Sequence, residues 1–312
     1  MENIIHKAVG LDNNESIFFT RELEHKKANA YNVLYPEYQF ASGALIPISN
    51  EAGEGAESIV YEQYDTVGMA KVISNYADDL PASDVKGKEF SSIVKSLGTS
   101  FTYNIQEIRA AQKAGKPLRQ KKADAAMRSM NQLIDNIGLN GDTVNNLTGF
   151  NDTTNATEYT MPSDGTAAAK TIASKTPDLV IRDLNAIANL PVTTTKGVEI
   201  PDTMLIPLAQ YNDIATRRVT DTNETILQYF LKNNPYIKSV IPVPKLVDAG
   251  ASSTARIWCY KNSPDKLTYE MPQMIEFLPE QPDNLAFKTP VHARNGGVLI
   301  YYPLSRSFAD GV

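Results

Sequence analysis

Residues 56 to 103 read as two long extended segments joined by a polar connector, and a chain carrying such a pair must find contacts for it outside a compact core. The outgoing segment holds Ile59, Val60, Tyr61, Tyr64, Val67, Val72, Ile73 and Tyr76, rich in β-branched and aromatic side chains with no proline among them. The returning segment, Phe90 to Tyr103, sets Ile93, Leu97, Phe101 and Tyr103 on one face and Ser92, Ser96, Ser100 and Thr102 on the other, which is the two-residue period of a strand. Between them Asp78 to Lys88, with Pro81, Gly87 and several charges, has the composition of a turn. A strand of about fifteen residues at roughly 3.3 Å each reaches on the order of 50 Å. Glu62, Gln63, Asp65 and Lys71 interrupt the apolar positions on both faces, so its own domain cannot enclose the outgoing strand. The pattern predicts a two-stranded arm that touches another subunit.

With 312 residues and 42% hydrophobic side chains, the chain can build two domains, or one with a large insertion. A net charge of -6 and a pI near 5.2 argue against a dedicated nucleic-acid binder while leaving room for a local basic patch. The single cysteine, Cys259, excludes an intramolecular disulfide and a multi-cysteine zinc site, and it fits a reducing compartment. Neither Met1 to Lys7 nor any later stretch has the apolar run of a signal peptide or a membrane span, so no membrane partner is expected. On that route the sequons at Asn14, Asn146, Asn151, Asn155 and Asn223 carry no glycan.

Along the chain, Glu15 to Leu34 forms an amphipathic helix pattern with Phe19, Leu23, Ala30 and Leu34 on one stripe and Glu22 and Lys26 as an i,i+4 pair. It packs either on its own core or on another copy. Asn104-Ile105-Gln106-Glu107 has the form of a capping box opening a short helix that Gly115 stops. A longer helix follows, with Pro117 near its start, Ala123, Ala126, Met127, Met130, Leu133, Ile134 and Ile137 on one stripe and Gly138 as its stop. Lys113, Lys116, Arg119, Lys121, Lys122 and Arg128 make this region basic, as a solvated face or as a surface for nucleic acid. Residues 138 to 176 read as a polar boundary or long loop. Beyond it a helix starts at Thr176-Pro177-Asp178, buries Val180, Leu184 and Ile187, and ends before Pro191. Met204 to Ile206, Ser239 to Val243 and Ala255 to Tyr260 read as strands, and Asp221-Thr222-Asn223-Glu224 as the cap of a helix with Ile226, Leu227, Phe230 and Leu231. Leu285, Phe287, Val291 and Ala293 alternate on a strand, and Arg294-Asn295-Gly296-Gly297 predicts a hairpin into Val298, Ile300 and Tyr302. The fold class is α+β.

Chemistry has no anchor in this sequence. His6, His25 and His292 are not spaced as metal ligands, Cys259 sits in a strand between Trp258 and Tyr260, and there is no Gly-x-Ser-x-Gly elbow. Gly53-Glu54-Gly55 lacks a third glycine and is flanked by Glu51 and Glu57, whose charges repel a phosphate. Asp78 and Asp79 point to opposite sides of an extended chain and cannot converge on one metal. No catalytic residue, cofactor or metal is expected, and an unrecognised hydrolase is left without a constellation to support it.

Four stretches carry a resemblance: Phe19-Thr20-Arg21-Glu22-Leu23-Glu24, Tyr76-Ala77-Asp78-Asp79-Leu80-Pro81, Leu147-Thr148-Gly149-Phe150-Asn151 and Asn295-Gly296-Gly297-Val298-Leu299-Ile300. Their wording, and the order of arm, long helix, polar loop, α+β region and closing strands, resembles the major capsid proteins of tailed bacteriophages with the Hong Kong 97-type fold, and the related encapsulins. The resemblance implies an N-terminal arm at 1–42, an extended β-hairpin E-loop at 56–103, a peripheral P-domain at 104–159 and 281–312 with a long spine helix, and an axial A-domain at 160–280. It implies a non-enzymatic shell protein that self-assembles as hexamers and pentamers into an icosahedral head around phage double-stranded DNA, bound non-specifically, in the bacterial host cytoplasm. The expected partners are other copies, a portal, a separate scaffold and decoration proteins. Only about forty residues precede the arm region, so a fused scaffolding segment is not expected. Lys71, Lys86 and Lys88 match no crosslinking pair of the family, so no covalent crosslink is expected. The candidate inter-subunit contacts are Phe19, Leu23, Leu34, Tyr76, Asp78, Asp79 and Lys86, and the candidate DNA-facing residues are Lys121 and Lys122. The alternative is an encapsulin enclosing a cargo enzyme, against which the long N-terminal arm argues.

Overall fold

The structure is a computed structural model that describes residues 36–72, 82–164 and 170–312. Every element below lies in the compact unit Tyr38–Val312. In chain order these are β1 (Ile48–Ser49), β2 (Ser58–Val67), β3 (Asp84–Ile93), β4 (Lys95–Asn104), α1 (Ile105–Ala114), α2 (Leu118–Asn140), β5 (Thr157–Glu158), α3 (Pro177–Thr194), β6 (Thr203–Ile206) and α4 (Leu208–Thr216). Then follow α5 (Ile226–Asn233), β7 (Ser239–Pro242), β8 (Arg256–Tyr260), β9 (Leu267–Glu270), β10 (Gln273–Phe277), β11 (Gln281–Asp283), β12 (Ala286–Asn295), β13 (Gly297–Ile300) and β14 (Ser307–Asp310). The expected N-terminal helix, Glu15 to Leu34, falls outside the described residues.

A five-stranded sheet in the order β5-β14-β8-β6-β7 separates two cores. Leu205, Trp258 and Tyr260 point to one side, into a core with Met130, Ile134, Phe150 and Tyr269. Met204, Ile206, Ile257 and Cys259 point to the other, where α3, α4 and α5 supply Val180, Leu184, Ile187, Ile214 and Phe230. All five residues of β8 are buried because both faces of this sheet are covered. On the first side α2 turns Ala126, Met130, Ile134 and Ile137 inward, as the 3.6-residue stripe predicts, while Leu133 at its margin is half exposed.

The capping box at Asn104 and Glu107 is present, and Gly115 ends α1 at φ 63°. Gly138 does not end α2. It is buried inside the helix, where an added Cβ would sit 2.9 Å from Phe40 Cβ, so its glycine serves close packing and Gly141 is the cap. The chain then doubles back, and the amides of Phe150 and Asn151 donate to the carbonyls of Gly138 and Leu139 at 2.8 and 2.7 Å. These bonds satisfy carbonyls that a helix end leaves unpaired.

Pro191 also fails to end its helix. Its ring removes the amide that would bond Ile187 O, and the Ser307 hydroxyl donates to that carbonyl instead at 2.8 Å, so α3 runs on to Thr194. The cap of α5 is Thr225, in a capping box with Gln228, and not the Asp221 to Glu224 stretch, which forms a tight loop closed by Val219 N to Glu224 O at 3.1 Å.

The predicted hairpin at residues 294–297 is absent. Both edges of β12 are taken, one by β4 over ten residue pairs and the other by β10 and β11, so β13 leaves that sheet and pairs with β9. Asn295 is fully buried at the crossing, donates to the Tyr269 hydroxyl at 2.5 Å and accepts the Gly297 amide at 2.7 Å. Gly297, at φ 77°, makes the change of direction. The returning strand of the arm is likewise two strands: β3 pairs with β2, whereas β4 joins the body. Asp84 to Lys88, expected in the turn, are paired in β3.

The closest backbone approach is at Gly149, where a Cβ would lie 2.2 Å from Gly141 N and 2.6 Å from Leu139 O. Gly149→Ala is therefore expected to destabilise the subunit by at least about 2 kcal/mol in urea unfolding, and Gly55→Ala, with nothing within 4 Å, to shift it by under about 0.5 kcal/mol.

Candidate assembly interface

The ribbon of β2 and β3 is ten pairs long, from Ser58↔Ile93 to Val67↔Asp84, or about 33 Å at 3.3 Å per residue. It forms a sheet of its own, so among the described residues both outer edges lack a partner strand. A two-stranded ribbon is marginal in water and its edges invite pairing. Its side chains reinforce this: Tyr64 is 65% exposed, Val85 59%, and Val60, Val67 and Ile93 are each more than two-fifths exposed. Past its end Met69 and Val72 are almost wholly in solvent.

Aromatic contacts fasten the base to the body. Tyr61 stacks on Phe90 across the ribbon at 5.2 Å and meets Tyr301 edge-on at 4.9 Å. Burial, and then the neighbouring Tyr301, push the Tyr61 phenol above its ordinary pKa. The Ser92 hydroxyl donates to Gly296 O at 3.0 Å, and the Val94 amide to Glu57 O at 2.9 Å. Further out, Gly87 leaves room for the Tyr64 ring, whose hydroxyl donates to Glu62. Asp65 lies opposite Lys86, while Glu62 faces Glu89, a like-charge pair that weakens the ribbon standing alone.

Lys86 lies on the exposed ribbon, opposite Asp65. Phe19, Leu23, Leu34, Tyr76, Asp78 and Asp79 lie outside the described residues. Lys121 is exposed on α2, but Lys122 is engaged: its ammonium donates to Thr102 O at 2.7 Å and to Glu107 Oε2 at 2.8 Å, tying α2 to the capped start of α1. Lys86 and the two α2 lysines sit on separate elements and form no common site. Sequence reasoning did not single out Tyr61, Phe90 and Tyr301 as an anchor, because their meeting depends on the strand register and on a residue some two hundred positions away.

Cys259 is buried, and burial pushes its thiol pKa up. No group of three or more metal-ligating side chains occurs among the described residues, and no described helix is long and apolar enough to cross a membrane.

A family model described as Major capsid protein matches residues 68–312. The capsid of Myoviridae phage XM1 is similar at a TM-score of 0.82 and 17% identity, covering 95% of this chain and 99% of that one. A solved structure described as Mycobacterium phage Bobi gives 0.61 at 13% identity, covering 94% and 97%. The capsid of an empty GTA particle gives 0.60 at 12% identity, covering 92% and 94%. No curated protein matches the sequence. The fold is the Hong Kong 97-type capsid fold, α+β as its sequence implies.

If Tyr61 anchors the ribbon, Tyr61→Ala removes two aromatic contacts of about 1 kcal/mol each. Amide protection in β2 and β3 should fall roughly tenfold in hydrogen exchange while that of β8 stays constant; unchanged protection would assign the anchoring elsewhere.

Proposed function

This chain belongs to the major capsid protein family and forms part of a phage capsid shell, and from that premise we propose how it assembles. Hexamers and pentamers close an icosahedral head around double-stranded DNA held non-specifically, built in the bacterial host cytoplasm with portal, scaffolding and decoration proteins as partners. Its role is structural and not catalytic. The observation that carries this reading is the ribbon, which projects exposed Tyr64, Val60 and Val85 beyond the sheet that anchors it. Symmetric repetition lets each copy cover its neighbour's ribbon, so that many modest contacts sum to a stable shell.

We place the E-loop at Ser58–Ile93, the peripheral domain around α2, β4 and β12, and the axial domain around α3, α4 and α5, with residues 1–42 as the N-terminal arm. The two cores on opposite faces of the five-stranded sheet support a two-domain division. Phe19, Leu23 and Leu34 are proposed to clasp a neighbour through the N-terminal arm.

Because Val67 and Asp84 are the last pair, residues 68–83 can be replaced by Asn-Gly, which suits a two-residue hairpin turn. The shortened subunit should keep its melting midpoint and lose at least about tenfold in shell yield by negative-stain microscopy; normal shells would sink the reading of the ribbon as an inter-subunit contact. For the DNA contact, Lys121 is the exposed candidate. Lys121→Gln should leave empty shells intact and release packaged DNA at lower salt, since each phosphate contact contributes to the salt dependence. Unchanged release would assign Lys121 to a solvated face.

A further inference from the structure

One buried ion cluster lies away from the ribbon, beside the core built by α3, α4 and α5. Lys175 follows a short 3-10 turn, Ile172–Ser174, and Arg217 fixes that turn by donating to the carbonyls of Ile172 and Lys175 at 2.9 and 3.0 Å. The Lys175 ammonium reaches Asp183 on α3 at 2.5 Å and Asp164 at 3.0 Å. Its side chain is 0% exposed and that of Asp183 2%, whereas Arg182 and Asp164, joined by two bonds of 3.0 and 2.7 Å, are 44% and 14% exposed. Lys175 and Asp183 are therefore the two charges stripped of water. A buried ion pair carries a desolvation cost that its own attraction often fails to offset.

The two oxygens of Asp183 are held differently. Oδ1 accepts three donors: the Tyr159 hydroxyl at 3.0 Å, Arg182 Nε at 2.9 Å and Arg182 Nη2 at 2.7 Å. Oδ2 accepts Lys175. This is the arrangement of an acyl centre, with donors converging where an oxyanion forms and an amine against the other oxygen. Burial, and then the bond to Asp183, push the Tyr159 phenol up to about 12, so it keeps its proton. Bonds from Arg182 and Lys175 hold the Asp164 carboxyl down to about 2, so it is ionised and open to a proton from Lys175.

We propose that Lys175 and Asp183 condense, without any other reactant, into an amide within one chain, with Asp164 carrying a proton between them. One proton passes from Nζ to Oδ2, leaving a neutral amine and a carboxylic acid. Nζ then attacks Cγ, and Tyr159 and Arg182 hold the oxyanion that forms at Oδ1. A second proton leaves Nζ for Asp164 and returns to Oδ2; the Cγ–Oδ2 bond breaks and that oxygen departs as water. Ammonium and carboxylate become one amide and one water, with no net proton gained or lost. Both fully buried charges disappear, and the Arg182–Asp164 pair that remains is balanced and partly in solvent. The bond lies inside one subunit, so it stands or falls independently of the shell reading.

The test weighs the full-length chain by mass spectrometry, unfolded so that only covalent bonds persist. Beside it runs Lys175→Arg, which keeps the charge but presents a guanidinium that stays protonated and does not attack. After allowance for the substitution, the unaltered chain should be lighter by one water, and its digest should contain a branched peptide joining Lys175 to Asp183. Equal masses overturn the proposal. So does a water lost as a linear succinimide at Asp164-Gly165 or Asp310-Gly311, the two Asp-Gly pairs of the chain. Asp164→Asn keeps the shape and loses the proton acceptor, so the linked fraction of freshly made protein should fall at least about tenfold. An unchanged fraction overturns the role given to Asp164. Should a variant fail to fold, the mass and digest of the unaltered chain decide the matter alone.

Discussion

The body of this subunit depends on one contact between backbones: the loop after the long helix α2 lies directly on the end of that helix. Gly141 and Gly149 meet so closely that no side chain fits between them, and the loop amides of Phe150 and Asn151 saturate the carbonyls of Gly138 and Leu139. Everything nearby is placed by this contact. Phe150 enters the core between Phe40, Trp258 and Tyr260, and Asn151 accepts from the Trp258 indole and the Arg256 guanidinium while donating to Ala249 O. Arg306, fully buried, donates to the carbonyls of Phe150 and Asp152 and lies 4.9 Å over Trp258. An unsupported buried guanidinium would be costly, so the loop carbonyls and the aromatic face that receive it are as necessary as the charge itself.

The same loop couples two stretches of sequence that lie far apart. Thr148 accepts the Val298 amide on its carbonyl and donates its hydroxyl to Val298 O, both at 2.8 Å. A Cβ on Gly297 would meet Thr148 O at 2.7 Å. Leu147 to Asn151 and Asn295 to Ile300, two of the wordings that carry the family resemblance, are therefore one structural joint and not two independent motifs. Gly296 stands beside Ile59 and accepts the Ser92 hydroxyl at the ribbon's base, so the joint also sets where the ribbon leaves the body.

What was legible in the sequence was local. Stripes at helical spacing located α2 and α3, alternation located β4 and β12, and the capping box at Asn104 placed the start of α1 to the residue. What was not legible were choices settled by distant partners. Asn-Gly at Asn295 has the composition of a hairpin turn, yet β12 is already paired on both edges and the dipeptide becomes a crossing between sheets. Pro191 reads as a helix stop until Ser307, more than a hundred residues on, takes over the orphaned carbonyl. Gly138 reads as a cap until Phe40 claims the space where its side chain would be. The exposed ribbon followed from its charged interruptions, but its anchor on Tyr301 required the register of β2 on β3.

The division of labour between β3 and β4 explains how a weak element can serve a large assembly. A two-stranded ribbon with Glu62 facing Glu89 and apolar side chains in solvent contributes little to the stability of its own subunit. It nevertheless follows without interruption, past the single buried residue Val94, into a strand held by ten pairs against β12 and covered by α2. The rigid half fixes where the ribbon leaves the body, and the exposed half leaves its apolar surface in solvent, where the proposed shell contact would use it. A ribbon packed onto its own body would hide that surface and remove the drive to assemble, whereas one without the β4 foundation would lose the defined geometry that a closed shell requires. The inward-facing positions change parity just past Val94, from Phe90, Ser92 and Val94 to Leu97, Phe101 and Tyr103, so Ile93, expected on the face of Leu97, turns out to solvent where the strand passes from the exposed ribbon to the body.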